Sequence, residues 1–192
     1  MKTLQQENKM EQKIKNNRGL VEYCLAQLGR PYWYGTFGQI ATKSLLQNRR
    51  KTYPRYYTAN DFEQQFNQRV HDCVGLIKGY MWSSGPNEKP VYLANGFRDV
   101  SADMLYNLCK RKGTSMSTMP DVPGVCVFMK GHVGVYIGDG EVIEARGHEY
   151  GVVKTKLARR PWKRWAFIDE IEYVTPQPEK PSVITNNGCH YI

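Results

Sequence analysis

The chain has 192 residues, of which 41% are hydrophobic and 12% aromatic. That length fits one domain with short tails, and that composition excludes wholesale disorder. No apolar run approaches the roughly 18 residues of a membrane span, and the polar N-terminus lacks the apolar segment of a secretory signal, so we expect neither. The net charge of +9 predicts an anionic partner, which could be nucleic acid, lipid head groups or an anionic wall polymer.

Several segments in the first part of the chain show helical periodicity. Apolar positions recur at helical spacing over residues 19–28, and the segment 74–82 is apolar almost all round, which indicates a buried helix. Two weaker helical patterns cover residues 39–47 and 60–69. Residues 101–112 are predicted to form an amphipathic helix that begins after Ser101 and has an inner face of Met104, Leu105 and Leu108.

After Pro123-Gly124 the period changes from helix to strand. Short β-branched segments separated by turns follow at residues 125–129, 132–137, 141–146, 152–156 and 165–174, the last with room for two strands. Helices followed by a run of strands predict an α+β fold with an antiparallel sheet of about five to six strands. We divide the chain into an N-terminal tail or helix (1–17), one domain (18–174) and a proline-rich linker and tail (175–192).

Five cysteines, at positions 24, 73, 109, 126 and 189, make an odd count without a C-x-x-C pair. This pattern argues against a disulfide framework and against a structural zinc site. Cys24, Cys109 and Cys126 have apolar neighbours, as small buried hydrophobic residues do. No cluster of metal ligands is evident, and we expect no metal and no other cofactor.

Cys73 differs from the other cysteines because it opens the predicted buried helix directly after Asp72. The unpaired N–H groups and the dipole at a helix N-terminus favour a thiolate and lower the cysteine pKa. Asp72 is a plausible cap whose negative charge opposes thiolate formation, so we assign it support rather than chemistry. Gly75 lets the helix approach a neighbouring segment closely. On this segment alone, a nucleophile and an ordinary buried cysteine are equally well supported.

The segment from His132 to Arg146 has the pattern of a β-hairpin, and its register decides whether His132 and Glu144 can cooperate. A two-residue Asp139-Gly140 turn would place their side chains on opposite faces. A three-residue loop at 138–140, with Gly140 left-handed, pairs Glu144 with Gly134 and sets it diagonally to His132 on one face. We predict the three-residue loop, with Gly134 leaving room above the pair.

This register gives a Cys–His–acid arrangement. Cys73 would be the nucleophile, His132 would take the thiol proton and later protonate the leaving amine, and Glu144 would orient the imidazole. A lone histidine on a strand is more often structural, but a helix-opening cysteine and a carboxylate on the same face favour catalysis. If the register slips, His148 could replace Glu144 as the orienting group. His71 is expected at the surface or behind the site.

The pattern resembles the NlpC/P60 cysteine peptidases of bacterial cell walls. The matching residues are Leu28-Gly29-x-Pro31-Tyr32-x-x-Gly35, Asp72-Cys73-x-Gly75-Leu76-Ile77, Pro123-Gly124, His132-Val133-Gly134-x-Tyr136-Ile137-Gly138 and Val142-Ile143-Glu144-Ala145, in family order over about residues 18–174. The resemblance implies a papain-like fold, in which the helix bearing the nucleophile packs on an antiparallel sheet. It also implies hydrolysis of an amide in peptidoglycan stem peptides, commonly between D-γ-glutamate and the diamino acid.

The resemblance further suggests residues around the nucleophile. Tyr32 matches the family's tyrosine beside the cysteine, and would share an oxyanion role with the Cys73 backbone N–H. Trp33 and Asp72 complete our set of oxyanion and substrate-binding candidates.

This sequence also departs from the family pattern. Val74 replaces the usual serine, Glu144 stands where histidine is frequent, and Val125 replaces an acid. Residues 36–71 are an insertion relative to compact members, and these departures bear on substrate preference more than on reaction type.

Two basic, aromatic stretches remain open to more than one interpretation. The tyrosines and arginines of the insertion could form a lid or groove wall that grips substrate, or a solvated flap covering the core; we favour substrate contact slightly. The stretch at residues 159–165 could stack on sugar rings, but packing of its tryptophans at the sheet edge is the simpler interpretation.

The leading functional hypothesis is a peptidoglycan endopeptidase resembling phage lysins, made in the cytoplasm and reaching the wall without a signal peptide. We expect a monomer with no obligate nucleic acid, and an anionic wall polymer is an optional partner. Alternatives that keep the same triad are an N-acetylmuramoyl-L-alanine amidase and an acyltransferase with a Cys73 thioester. A further alternative is a non-catalytic basic module that binds wall polymer or nucleic acid.

Overall fold

A computed structural model describes residues 15–174, and they form an α+β fold. The helices are α1 (Asn17–Ala26), α2 (Lys43–Thr52), α3 (Cys73–Trp82) and α4 (Ala102–Leu108). The strands are β1 (Phe37–Ile40), β2 (Arg69–His71), β3 (Lys112–Gly113), β4 (Cys126–Met129), β5 (His132–Gly138), β6 (Glu141–Ala145), β7 (Val152–Lys156) and β8 (Arg164–Ala166). Within these residues, no helix is long and apolar enough to cross a membrane.

The main sheet has six strands in the order β3-β8-β4-β5-β6-β7, and all its pairs are antiparallel. This confirms the predicted fold class and strand number. Side chains alternate between the faces of the sheet. Val133, Val135 and Ile143 face the helices, where they join one core with α1 and α3. Val142 and Tyr136 face the other way, into a second core closed by the indoles of Trp162 and Trp165. The tryptophans of residues 159–165 thus pack against the sheet, which is the simpler of the two interpretations of that basic, aromatic stretch.

Helix α3 is buried along nearly its whole length, as its all-round apolar pattern predicts. It packs against α1 on one side and against β5 and β6 on the other. Asp72 caps its N-terminus, and Ser83 ends it in an extended conformation. The nucleophile candidate is therefore held at the first residue of a rigid central helix.

The predicted inner face of α4 is right at Leu105 and wrong at Met104 and Leu108. Met104 is 55% exposed and Leu108 is 46% exposed, whereas Ala102, Leu105 and Tyr106 are buried. The buried residues, continued by Cys109, follow the helical spacing i, i+3, i+4, i+7, which is the true apolar stripe. Ser101 caps this helix as predicted, its hydroxyl accepting from the Met104 N–H, but the helix ends at Leu108 rather than at residue 112.

The inserted segment forms a small subdomain with its own sheet. β1 and β2 pair antiparallel, and Trp33, Leu46 and Phe62 lie in a separate core beneath them. The two predicted helices are only partly right. The first begins later, after its Thr42 cap, because residues 37–40 are used as a strand, and the second is a single 3₁₀ turn at Phe62–Gln65.

The predicted strand at residues 165–174 is limited to β8, and no second strand follows it in the described residues. Its outer neighbour β3, which the periodicity did not reveal, is only two residues long. Beyond Ala166 the chain leaves the sheet, and Ile168 and Ile171 pack into the core beside the helices. The predicted tails at residues 1–14 and 175–192 lie outside the described residues.

Candidate active site

Asp72 fixes the position of Cys73 at the start of α3. One carboxylate oxygen accepts from the Gly75 N–H at 2.6 Å and the other from the Gly35 N–H at 2.8 Å. Asp72 thus ties the Tyr-x-x-Gly segment to the helix as well as capping it. A side chain at Gly75 would collide with the backbone carbonyl of Thr36, which is the close approach that the glycine was predicted to permit. Asp72 is buried, and backbone N–H groups donate to both of its carboxylate oxygens.

The Cys73 thiol lies against the backbone at the start of β5. Sγ donates to the Gly131 carbonyl at 3.9 Å. A thiolate there would be stabilised by the N–H groups of Val133, Val74 and Cys73 itself. Burial and, secondly, the negative charge of Asp72 nevertheless raise the thiol pKa to about 12. The lowered pKa expected from the helix N-terminus is therefore wrong, because desolvation outweighs the helix-end contribution.

His132 and Glu144 meet as the sequence predicts. His132 Nε2 lies 2.7 Å from Glu144 Oε2. Val135 pairs with Ile143 and Tyr136 with Val142, which is the register predicted for the hairpin. The turn itself differs from the prediction: Gly138 pairs with Glu141 across a two-residue Asp139-Gly140 turn, and a bulge between Tyr136 and Gly138 shifts the register by one. Positive φ angles at Gly138, Asp139 and Gly140 make this turn and bulge attainable.

Glu144 is fully buried and accepts four hydrogen bonds. Oε1 accepts from Thr155 Oγ1 and Arg160 Nε, both at 2.8 Å, while Oε2 accepts from Arg160 at 2.9 Å and from His132. Burial alone would raise the pKa of this carboxyl, but the bonds from His132, Arg160 and Thr155 outweigh it and hold the pKa at about 2. Glu144 is therefore an anion at neutral pH, and a carboxylate can only accept, so the His132 proton sits on Nε2.

Trp162 covers the imidazole. Its ring stacks on His132 with centroids 5.6 Å apart and planes inclined by 10°. The space above Gly134, which the sequence predicts to be open, is filled by this indole: a Cβ at Gly134 would lie 3.0 Å from Trp162 and 2.6 Å from Val142. Trp162 and Glu144 together leave the imidazole little freedom to rotate.

The thiol and the imidazole are not joined by a hydrogen bond. Sγ is directed to Gly131, the residue immediately before His132. His132 Nε2 is occupied by Glu144, and Nδ1 makes no hydrogen bond with any residue between 15 and 174. Nδ1 is thus the ring nitrogen left to accept a proton, on the residue that follows the Gly131 carbonyl contacted by the thiol.

The two remaining site candidates, Tyr32 and Trp33, lie in different surroundings. Tyr32 is half-buried beside the nucleophile, and its pKa is raised by burial and then by the nearby Cys73 and Asp72. Trp33 is fully buried, and its indole N–H donates to Gln65 inside the inserted subdomain. Substrate binding by Trp33 is therefore wrong, because its ring belongs to a core. The neighbouring Tyr34, which the candidate set omitted, lines the cleft instead.

Two other histidines lie outside the site. His148 Nε2 lies 2.7 Å from Asp61 Oδ1 in the insertion, and its ring packs on Phe62. The alternative in which His148 orients His132 is therefore wrong, since the register does not slip. His71 is fully buried beside Tyr23 rather than at the surface, and burial lowers its pKa to about 3.

A cleft of about 590 Å³ opens beside Cys73. It is lined by Gly131 and Ala102, by Tyr34 just before the insertion, and by Arg49 and Tyr53 within the insertion. Among the described residues, no group of three or more His, Cys, Asp or Glu side chains is placed to hold a metal ion. Cys24, Cys109 and Cys126 are buried free thiols, as their neighbours predict.

Sequence reasoning did not identify Arg160, Trp162 or Thr155 as parts of this site. Glu144 pairs with Val153 of β7. Thr155 lies two residues after Val153 on the same face of the strand, so the strand pattern places it diagonal to the carboxylate. Arg160 and Trp162 lie after the end of β7 and carry no local signal. The sequence signal for a partner such as Arg160 is Glu144 itself, because a carboxylate buried in an apolar strand requires a cationic partner.

Comparison of this chain with known proteins finds solved structures of similar fold. No protein-family model matches the chain, and no curated protein matches it. Solved structures that resemble it include NlpC2 from Trichomonas vaginalis, with 16% identity, a TM-score of 0.49 and coverage of 80% of this chain and 46% of that one. The chain thus spans about half the length of that protein.

Two mycobacterial structures match over more of their length. The peptidoglycan hydrolase RipB from Mycobacterium tuberculosis has 20% identity and a TM-score of 0.47, with coverage of 82% and 68%. RipD from the same organism, described as a non-catalytic NlpC/p60 domain protein adapted to peptidoglycan binding, has 15% identity and a TM-score of 0.45, with coverage of 79% and 96%. The similar structures belong to the family that the sequence motifs resemble, and the functional proposal rests on the site residues.

Proposed function

We propose that this chain is a cysteine peptidase of the NlpC/P60 type that acts at the cell wall, hydrolysing an amide in the peptidoglycan stem peptide between D-γ-glutamate and the diamino acid. The observation that carries the proposal is the hydrogen-bonded His132–Glu144 pair. The Cys73 thiol contacts the carbonyl of Gly131, the residue immediately before His132. The motif order of the sequence supports the family and the substrate class.

The chemistry begins with transfer of the thiol proton to His132 Nδ1. For this, Sγ exchanges its Gly131 acceptor for the imidazole, and the sulfur attacks the carbonyl carbon of the scissile amide. The oxyanion is stabilised by N–H groups at the start of α3 and by the Tyr32 hydroxyl. The imidazolium then protonates the leaving amine, and water hydrolyses the Cys73 thioester while His132 again takes a proton.

Glu144 stabilises the charged imidazolium and holds its orientation. Because the raised pKa keeps the resting thiol neutral, the imidazole acts as a general base during attack rather than as one member of a preformed ion pair. The anionic, fully buried Glu144 makes this proton transfer more favourable, since it lies next to the ring that gains the charge.

The test is digestion of purified sacculi by wild type and by Cys73→Ala, with mass spectrometry of the products. With wild type only, we expect the glycan to keep stems that end in D-glutamate and the released peptides to begin with the diamino acid. Both proteins should give the same circular dichroism spectrum, and activity should persist in chelator. Release of intact stem peptides would identify an amidase, and transfer to an added amine would identify an acyltransferase. Undiminished activity of Cys73→Ala would remove this residue from the mechanism.

A second candidate is a non-catalytic module that binds peptidoglycan. It is favoured by the neutral thiol and by the bond from Sγ to the Gly131 carbonyl rather than to the imidazole. Under this alternative, wild type and Cys73→Ala would sediment equally with sacculi and neither would release a product. Detection of an acyl-enzyme on Cys73 would exclude it.

A further inference from the structure

Arg49 lies in the cleft beside Cys73 and has no ion-pair partner among the described residues. It lies on α2 of the inserted subdomain and lines the cleft of about 590 Å³. Its Nε is buried and has no hydrogen-bond partner, and no ion pair joins its guanidinium to any described residue. Its ring contact is with Tyr53, with the guanidinium carbon 5.9 Å from the ring centroid. A buried donor without a partner calls for an explanation, and a ligand group is one.

The other charges in the cleft are already paired. Asp99 Oδ1 accepts from Lys78 at 2.5 Å, and Asp99 Oδ2 accepts from the Tyr92 hydroxyl at 2.8 Å. Asp72 is occupied by the backbone N–H groups of Gly75 and Gly35. Arg49 is therefore the charged group of this cleft whose hydrogen-bonding capacity is open to a ligand. A guanidinium offers a planar pair of donors that matches a carboxylate.

We infer that Arg49 binds a carboxylate of the substrate and makes the enzyme select peptides in which that carboxylate is free over peptides in which it is amidated. This inference rests on the proposed function and specifies its substrate. The stem peptide offers two sources of the group: glutamate linked through its γ-carboxyl keeps a free α-carboxyl, and a diamino acid such as diaminopimelate carries a carboxyl on its side chain.

The position of Arg49 suits recognition rather than bond cleavage. The cleft that it lines includes Cys73 and Gly131 but not His132, so the guanidinium acts on a part of the substrate away from the proton transfer. Tyr34 and Tyr53 form an aromatic wall beside it, with ring centroids 5.1 Å apart in edge-to-face contact. The insertion thereby contributes a polar anchor and an apolar wall to the cleft.

The experiment measures kcat/KM for three synthetic peptides with wild type, Arg49→Gln and the control Arg50→Gln. The peptides are L-alanyl-γ-D-glutamyl-diaminopimelate, the same peptide with the glutamyl α-carboxyl amidated, and the same peptide with the diaminopimelyl side-chain carboxyl amidated. Arg50 is an exposed arginine on the same helix. We expect wild type and Arg50→Gln to disfavour one amide by roughly ten- to hundredfold, which is the fold-change expected for a hydrogen bond to a charged group.

In Arg49→Gln the free acid should fall to the rate of that amide, and Arg49→Lys should recover part of the preference because it restores charge without the fork. The amide that wild type disfavours identifies which carboxylate Arg49 binds. An acid-to-amide ratio that is the same in Arg49→Gln and wild type would overturn the inference while leaving the hydrolase intact.

A second measurement separates failure of the inference from failure of the proposed function. In Cys73→Ala, which cannot turn over, the NMR signal of the Arg49 Nε–H is followed during titration with the same three peptides. A shift with the free acid but not with one of the two amides supports binding even if wild type hydrolyses none of them. No shift with any of the peptides would overturn the inference.

Discussion

Arg160 holds Glu144 with two hydrogen bonds of 2.8 and 2.9 Å, one to each carboxylate oxygen. The two residues lie on opposite sides of β7 in the sequence, and Glu144 is fully buried. Two parallel N–H···O bonds fix a carboxylate in both position and plane. The orientation of the His132 imidazole, which depends on that carboxylate, is thereby set by an arginine that makes no hydrogen bond to the histidine.

Arg160 is expected to be a positioning residue for His132. Arg160→Gln should lower kcat roughly ten- to hundredfold with little change in KM, because the carboxylate that orients the base loses its clamp. Arg160→Lys should restore part of the activity, since it supplies charge through a single donor. Breaking a buried pair also destabilises the fold, by about 3 to 5 kcal/mol. The neighbouring exposed Arg159→Gln is the matched control, and an equal loss there would contradict this role.

Glu144 is expected to make stability fall in acid. Its pKa in the folded protein is about 2, against an ordinary value of 4.5. A lowered pKa contributes stability that is fully present above the ordinary value and is lost as the pH falls through the folded value, here from about 5 to 2. The contribution at neutral pH is about 3 kcal/mol. Urea unfolding of wild type and Glu144→Gln should show a stability difference that narrows as pH falls from 6 to 2. A difference independent of pH would refute this assignment.

The two partners of the base-acid pair should differ in their effect on activity. His132→Ala should abolish turnover, because it removes the group that transfers the proton. Glu144→Gln should leave measurable activity, because an amide can still accept from Nε2 but does not stabilise the imidazolium. Steady-state rates with one stem peptide test the order, and melting temperatures of both variants control for unfolding. Glu144→Gln being as inactive as His132→Ala, while folded, would show that the charge itself is required.

Cys73 should be slow to alkylate at neutral pH. With its pKa raised to about 12, its thiolate fraction and its rate of reaction with iodoacetamide should climb about tenfold per pH unit between pH 7 and 9. Peptide mass spectrometry resolves Cys73 from the other cysteines. A rate that levels off below pH 8 would instead indicate a thiolate stabilised by His132 or by the helix end. The profile of His132→Ala identifies which of the two is responsible.

Gly134 should be intolerant of a methyl group. An added Cβ would lie 2.6 Å from Val142 and 3.0 Å from Trp162, so the indole must move away from His132. Gly134→Ala is expected to cost about 1 to 3 kcal/mol of unfolding free energy and to reduce activity. Gly140→Ala is the control. Its φ of +66° makes alanine unfavourable there through backbone strain alone, because nothing lies within 4 Å of the added Cβ. Loss of stability without loss of activity in Gly134→Ala would show that Trp162 does not support the base.

Features that depend on residues near in sequence were predictable. The apolar run of α3, its opening by Cys73 and the Asp72 cap are local, and so are the strand periodicity and the meeting of His132 with Glu144 within one hairpin. The register was right although the turn was wrong, because a bulge before a two-residue turn shifts pairing as a three-residue loop does. Turn signals alone do not separate these two solutions.

The errors at Met104 and Trp33 have a different origin. Met104 and Leu108 are apolar but lie off the buried stripe of α4, which runs through Ala102, Leu105, Tyr106 and Cys109. Trp33 is predicted to bind substrate, but the inserted subdomain needs a core and buries the indole beside Leu46 and Phe62. Whether an aromatic side chain packs or binds depends on which distant segment covers it.

The sequence by itself determined the α+β class, the cysteine at the helix start and the histidine–glutamate register, since backbone periodicity and hairpin pairing act over short distances along the chain. Only the tertiary structure decided that Arg160 and Trp162 support His132, that burial raises the Cys73 pKa, and that Arg49 faces the cleft. Each of these depends on the solvent and charges around a group, which are supplied by segments far away in sequence.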